Sequence, residues 1–215
     1  MKERPILFNA EMVRALLDGR KTQTRRIVKP TKDRNGSGCH LSPCEVAGEI
    51  NAGDYFLCPY GQPGDRLWVK ETWRPQGVLS PWDLGVTYAA DGEQRIIKDG
   101  EFGDKDWNMP KAAAKGNVSP LFMPRWASRI TLEIVSVRVE RLQDISESEA
   151  LAEGVIGEEE AKAAGLEWFD KPRRAFQFLW QRINGAESWD ANPWIWVITF
   201  KRLEDTDDRY QRIAS

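Results

Sequence analysis

The segment Ser128–Leu142 narrows the folds open to this chain more than any other. Ile130, Leu132 and Ile134 recur there every second residue, and Val135, Val137 and Val139 continue the series after a shift of one position. Such alternation marks a half-buried strand, and the slip at Ile134–Val135 predicts a β-bulge or a strong bend. In a chain of 215 residues, a strand this long leaves extended edges to protect. Closure into a barrel removes them.

The flanking segments supply helices as well as strands, so the expected class is α+β. Asn9 caps a helix through Met12, Val13, Leu16 and Leu17, and Gly19 ends it. Thr22–Val28 alternates as a strand that Pro30 terminates. Arg66–Trp73 reads as another strand after the Gly64-Asp65 turn. Beyond the long strand, Ser146 and Glu149 form a capping box ahead of Ala150, Leu151 and Val155. A further helix runs over about Pro172–Ile183, with Phe176, Leu179, Trp180 and Ile183 on one face. Trp194–Leu203 alternates as the closing strand. Two stretches, about 29–63 and 74–124, read as long inserted loops rich in turn formers. The second holds a hairpin signal at Val86–Ala90 and Gln94–Ile97 around Asp91-Gly92. The expected organisation is one domain over 1–203 followed by a flexible polar tail, 204–215.

Composition excludes several classes. A net charge of −2 exerts no broad pull on polyanions, so any nucleic-acid affinity must come from a local basic surface. No apolar run reaches the ~18–20 residues of a membrane helix, and the start MKERPILFNA has no signal-peptide core. The expected location is the cytoplasm, without membrane contact. Three cysteines suit a reducing compartment. Cys39, His40, Cys44 and Cys58 gather within twenty residues, but adjacent Cys39 and His40 break the usual zinc-hook spacing, so neither metal nor other cofactor is expected. Ten tryptophans suffice to serve both a core and a stacking surface.

Chemistry concentrates in two clusters. Gly19-Arg20-Lys21-Thr22-Gln23-Thr24-Arg25-Arg26 places four cations after a glycine turn, suited to one anionic group. In a strand, Lys21, Gln23 and Arg25 share one face and Thr22, Thr24 and Arg26 the other; next to a turn, Lys21 and Thr24 still have room to converge. The second cluster is Ser146–Gly154. Glu149 has a structural task there as the capping-box acid. Glu153 sits at the helix end, where the dipole disfavours a carboxylate, and so calls for a cationic partner such as Lys21 or a nearby arginine. Trp126, between Arg125 and Arg129, either stacks on a base or begins a core strand. Trp68 with Lys70, or Glu71 with Trp73, is placed to edge a cleft.

These residues carry a resemblance. The Gly-Arg-Lys-Thr-x-Thr-x-Arg start, the Gly64-Asp65 turn, the long strand leading to a helix at Glu153, and the closing strand Trp196–Phe200 resemble the ASCH family. GDRLWVKETW, MPRWASRITLE and NPWIWVITF are similar to its larger members from phages and prophages. The resemblance spans nearly the whole chain. It implies a PUA-like mixed β-barrel flanked by helices, interrupted by the two inserted loops. Small bacterial members of the family hydrolyse N4-acetylcytidine with a Lys, a Thr three residues later, and a Glu in the helix after the long strand. Carried over, these are Lys21, Thr24 and Glu153: Thr24 as nucleophile, Lys21 as general base, Glu153 as proton shuttle. Arg20, Arg25, Arg26, Arg125, Trp126 and Trp68 are the expected ligand-binding residues. The implied partner is a nucleoside or nucleic acid, RNA in preference to DNA. A non-catalytic reader of modified nucleic acid, and a phage accessory factor working through protein contacts, are the alternatives.

Overall fold

The computed structural model describes residues 1–32, 40–80, 83–98, 111–156 and 171–203. In chain order β1 (Glu3–Leu7), α1 (Ala10–Leu17) and β2 (Gln23–Ile27) come first. Two short strands, β3 (Thr31–Lys32) and β4 (His40–Leu41), precede α2 (Pro43–Asn51). Next come β5 (Arg66–Lys70), β6 (Trp73–Ser80), β7 (Asp83–Tyr88) and β8 (Gln94–Ile97). The long β9 (Thr131–Arg141) leads into α3 (Glu147–Ala152), and α4 (Pro172–Asn184) and β10 (Trp194–Arg202) complete the series. The class is mixed α+β. No described helix is long and apolar enough to cross a membrane. The tail 204–215 lies outside the described residues.

The elements gather into two compact units. Described residues of Met1–Leu17 and Arg66–Leu132, with Arg202 and Leu203, make the first. Those of Asp18–Asp65 and Glu133–Lys201 make the second.

In the first unit β1 runs parallel to β5, with Glu3 beside Arg66 and Leu7 beside Lys70, and β5 bonds in turn to the start of β9. Asn9 caps α1 as its sequence predicts: its Oδ1 accepts the Met12 N–H at 2.8 Å. The span 74–124 holds more than a loop. A three-stranded antiparallel sheet, β6-β7-β8, covers a core of Trp73, Val86, Tyr88, Ile97, Val118 and Met123. The expected hairpin is present as β7 and β8, and Gly92, at φ +79°, supplies the left-handed turn residue. Trp73 does not end the strand that starts at Arg66. The chain leaves β5 after Lys70, and Trp73 opens β6 as a fully buried ring. At this break the buried Glu71 carboxylate accepts from Arg129 Nε and Nη2 at 2.9 Å each.

In the second unit β10 lies between β9 and β2. It pairs antiparallel with β2, with Val197 opposite Arg25 and Ile198 opposite Thr24. Leu142, Phe176, Trp180, Trp189, Ile195 and Val197 form the core under α3 and α4. The predicted slip in β9 is real. Ile134 points inward, Val137 and Val139 continue the buried series, and Val135 is left 51% exposed. The span expected as a loop over 29–63 contains α2, with Val46, Ala47 and Ile50 buried and Glu45 accepting the Ser42 N–H at 2.7 Å.

Among the described residues the strands form open sheets and no closed barrel is found. The edges are protected in another way. β1 carries Glu3, Arg4 and Pro5 along its free side, and Thr22, just ahead of β2, gives its N–H to the Ala152 carbonyl at 2.8 Å.

Candidate active site

All the residues of this site belong to the second unit. Gly19, at φ +76°, turns the chain out of α1 in a conformation that L-residues rarely adopt, and this swings Lys21 beneath the end of α3. The capping box of α3 forms, with Glu149 accepting the Ser146 N–H at 3.0 Å. That fixes the helix so that Glu153 becomes its C-terminal cap, followed by Gly154 at φ +86°.

Lys21 Nζ lies 2.8 Å from Glu153 Oε2 and 2.8 Å from the Glu153 carbonyl oxygen. The two side chains are 0% and 3% exposed. The cationic partner that the helix dipole demands for Glu153 is therefore supplied from 132 residues away. Arg25 supplies a second, with Nη1 3.2 Å from Glu153 Oε1. Burial lowers the pKa of Lys21 from 10.5; the charge and hydrogen bond of Glu153 pull it back up, and the charges of Arg26 and Arg25 add to the lowering.

Thr24 stands apart from this pair. β2 pairs in unbroken register over Gln23–Ile27, so alternation places Arg25 and Gln23 on one face and Thr24 on the other. Thr24 is fully buried, and its Oγ1 has no hydrogen-bond partner among the described residues. Lys21 and Glu153 are brought together; Lys21 and Thr24 share no hydrogen bond.

The other expected ligand residues have local engagements. Arg20 donates to the Gly154 carbonyl at 3.1 Å and pairs with Asp18 at 2.9 Å. Arg26 is half-buried and donates to the Arg25 carbonyl at 3.3 Å. Arg125, Trp126 and Trp68 belong to the first unit. Arg125 bonds Glu3 at 3.0 Å and lies 6.0 Å from the Trp68 ring, which Lys70 approaches to 5.5 Å. Trp126 takes the core role, edge-on to Trp73 at 5.9 Å.

Sequence reasoning missed Glu140 and Arg138. Arg25 Nη2 is 3.1 Å from Glu140 Oε1, and Arg138 bonds both Glu140, at 2.8 Å, and Glu149. The alternation of β9 was their signal: it puts 138 and 140 on the face opposite Val137 and Val139. Exposure grows outward along this network, from 0–3% at Lys21, Arg25 and Glu153 to 18% at Glu140, 25% at Glu149 and 34% at Arg138.

Metal binding finds no set of ligands: among the described residues no group of three His, Cys, Asp or Glu is arranged to hold an ion. Cys44 and Cys58 are free thiols, the first exposed and the second buried. Cys39 and the His40 side chain lie outside the described residues. Comparison of the chain with protein-family models, curated proteins and solved structures finds no match.

Proposed function

We propose that this is a PUA-like, ASCH-type amidohydrolase that removes an acyl group from the exocyclic amine of cytidine or a related nucleoside. Lys21 and Glu153 are its acid–base couple. One observation carries the reading: a lysine and a glutamate 2.8 Å apart with both side chains out of water. A surface pair of this kind contributes little. A buried one is retained against a large desolvation cost, and its lysine is pushed toward the neutral amine that a general base requires.

The chemistry balances with water as the attacking group. Neutral Lys21 takes a proton from water, and the resulting hydroxide adds to the acyl carbonyl. Collapse of the tetrahedral intermediate breaks the carbon–nitrogen bond, and Glu153 passes the proton from Lys21 to the departing amine, leaving a carboxylic acid and the free base. The N–H groups of the Gly19 turn provide dipoles for the oxyanion. Thr24, on the opposite face of β2, has no covalent part in this scheme.

The test is incubation with N4-acetylcytidine and chromatography for cytidine. Wild-type protein releases cytidine, and Lys21→Met lowers the rate about 100-fold or more while the protein still melts cooperatively. No cytidine from wild type, or an unaffected Lys21→Met, sinks the proposal. A second reading, single-stranded RNA binding on the first unit, draws on the grouping of Lys70 and Arg125 about Trp68. It requires binding that weakens steeply with salt and is lost in Trp68→Ala.

A further inference from the structure

We infer that Arg25 is a positioning residue: by holding one oxygen of the Glu153 carboxylate it keeps the other turned to Lys21. This rests on the reading of Lys21 as the base, and it gives Arg25 a different task from the ligand contact expected of it.

The geometry is that of a shared carboxylate. Lys21 holds Glu153 Oε2 at 2.8 Å and Arg25 holds Oε1 at 3.2 Å. Each oxygen thus has its own cation, and the carboxylate cannot rotate without losing one. Arg25 is itself held at both terminal nitrogens, while its Nε is buried without a hydrogen-bond partner among the described residues. Its Nη1 also donates to Gln23 Oε1 at 3.0 Å, Nη2 donates to Glu140 at 3.1 Å and lies 3.5 Å from Glu149, and the Phe176 ring sits 5.8 Å from the guanidinium carbon. Its side chain is 0% exposed. A phosphate placed here would meet three carboxylates, so anion binding is the one task this guanidinium is poorly placed to perform.

The electrostatics follow from sharing. Glu153 from α3 favours the protonated form of Lys21, whereas Arg25 and Arg26 from β2 oppose it; Glu140 and Glu149 lie beyond Arg25, tied to it and to Arg138. Arg25 both divides the attraction of Glu153 and adds its own repulsion. An arginine suits this place because it does not give up its proton, which leaves Lys21 as the cation that titrates. A lysine at 25 would compete for that role.

The test follows Lys21 directly by NMR titration of protein carrying isotope-labelled lysine, the signal being assigned with Lys21→Met. Arg25→Met raises the Lys21 midpoint, and Arg25→Lys returns it most of the way. The acid limb of the N4-acetylcytidine pH–rate profile moves up with it in Arg25→Met. A Lys21 midpoint unchanged in Arg25→Met, or lowered, overturns the inference. Should Arg25→Met fail to fold, Arg25→Gln is judged by the same criterion. The titration needs no substrate, so the two ideas fail separately. An unmoved midpoint beside intact turnover removes Arg25 from its role and spares the hydrolase. A raised midpoint in a protein without turnover upholds the charge coupling and removes the hydrolase.

Discussion

Replacing Glu153 with Gln leaves two buried cations facing an uncharged amide, and the size of the loss follows from what each has in reserve. Lys21 keeps the carbonyl oxygen of residue 153, at 2.8 Å, but loses the carboxylate that balances its charge. Arg25 keeps Glu140 at 3.1 Å and Gln23 at 3.0 Å. Breaking one side of a buried ion pair costs about 3–5 kcal/mol, because the partner charge is stranded away from water. Lys21→Met is milder, at about 2–3 kcal/mol, since Arg25 still neutralises Glu153. The double variant strands fewer charges than the sum of the two, so the pair should couple by about 1–3 kcal/mol. For a chain of this size Glu153→Gln corresponds to a fall in Tm of about 6–20 °C. Thermal melts of the four proteins, followed by tryptophan fluorescence, measure all of this. Single losses below about 1 kcal/mol that add without coupling are the signature of a solvated surface pair; that result would refute the burial argument on which the proposed chemistry rests.

Thr24→Val removes a buried hydroxyl with no hydrogen-bond partner among the described residues, and should raise stability by about 1 kcal/mol or more, read as a higher Tm. Turnover surviving that change keeps water as the attacking group; a loss of about 1000-fold makes the Thr24 hydroxyl the nucleophile instead. Arg129→Met strands Glu71, whose side chain is 2% exposed, and frees Asp91 and Glu93, at a cost of about 3–5 kcal/mol in melts. Arg129→Lys restores only part of it, because the two-pronged contact with Glu71 and the stacking on Tyr88 at 4.1 Å both need a guanidinium. The pH dependence has a definite sign. The pKa of Lys21 is lower in the folded chain than its ordinary 10.5, so between the two values the unfolded chain binds more protons and stability rises with pH. Melts across the pH range below 10.5 should show the rise in wild type and a flatter profile in Lys21→Met.

What the sequence disclosed was local. The Asn9 cap, the Gly19 turn, the capping box at Ser146 and the phase slip beside Val135 each depend on residues a few positions apart, and each is present. The helix α2 was equally local and was overlooked. Ser42, Pro43 and Glu45 spell its start, but only Val46, Ala47 and Ile50 mark its buried face, too few to stand out from a stretch rich in turn formers. The β6 strand was hidden for a related reason: Pro75 and Gly77 interrupt its pattern, and pairing with β7, which shifts register around them, compensates for both.

The charges show where such reading ends. That Glu153 needs a cation could be argued from one helix end, but the competition between Lys21 and Arg25 could not, because each meets Glu153 from more than 120 positions away. Glu71 presents the same limit in the first unit. Nothing local distinguishes it from a solvated glutamate, yet burial raises its pKa against the opposing pull of Arg129. A charge is placed inside a protein only when another segment answers it. Alternation can therefore nominate the face on which Gln23 and Arg25 lie, while only the packing of α3 against β2 decides that this face is buried.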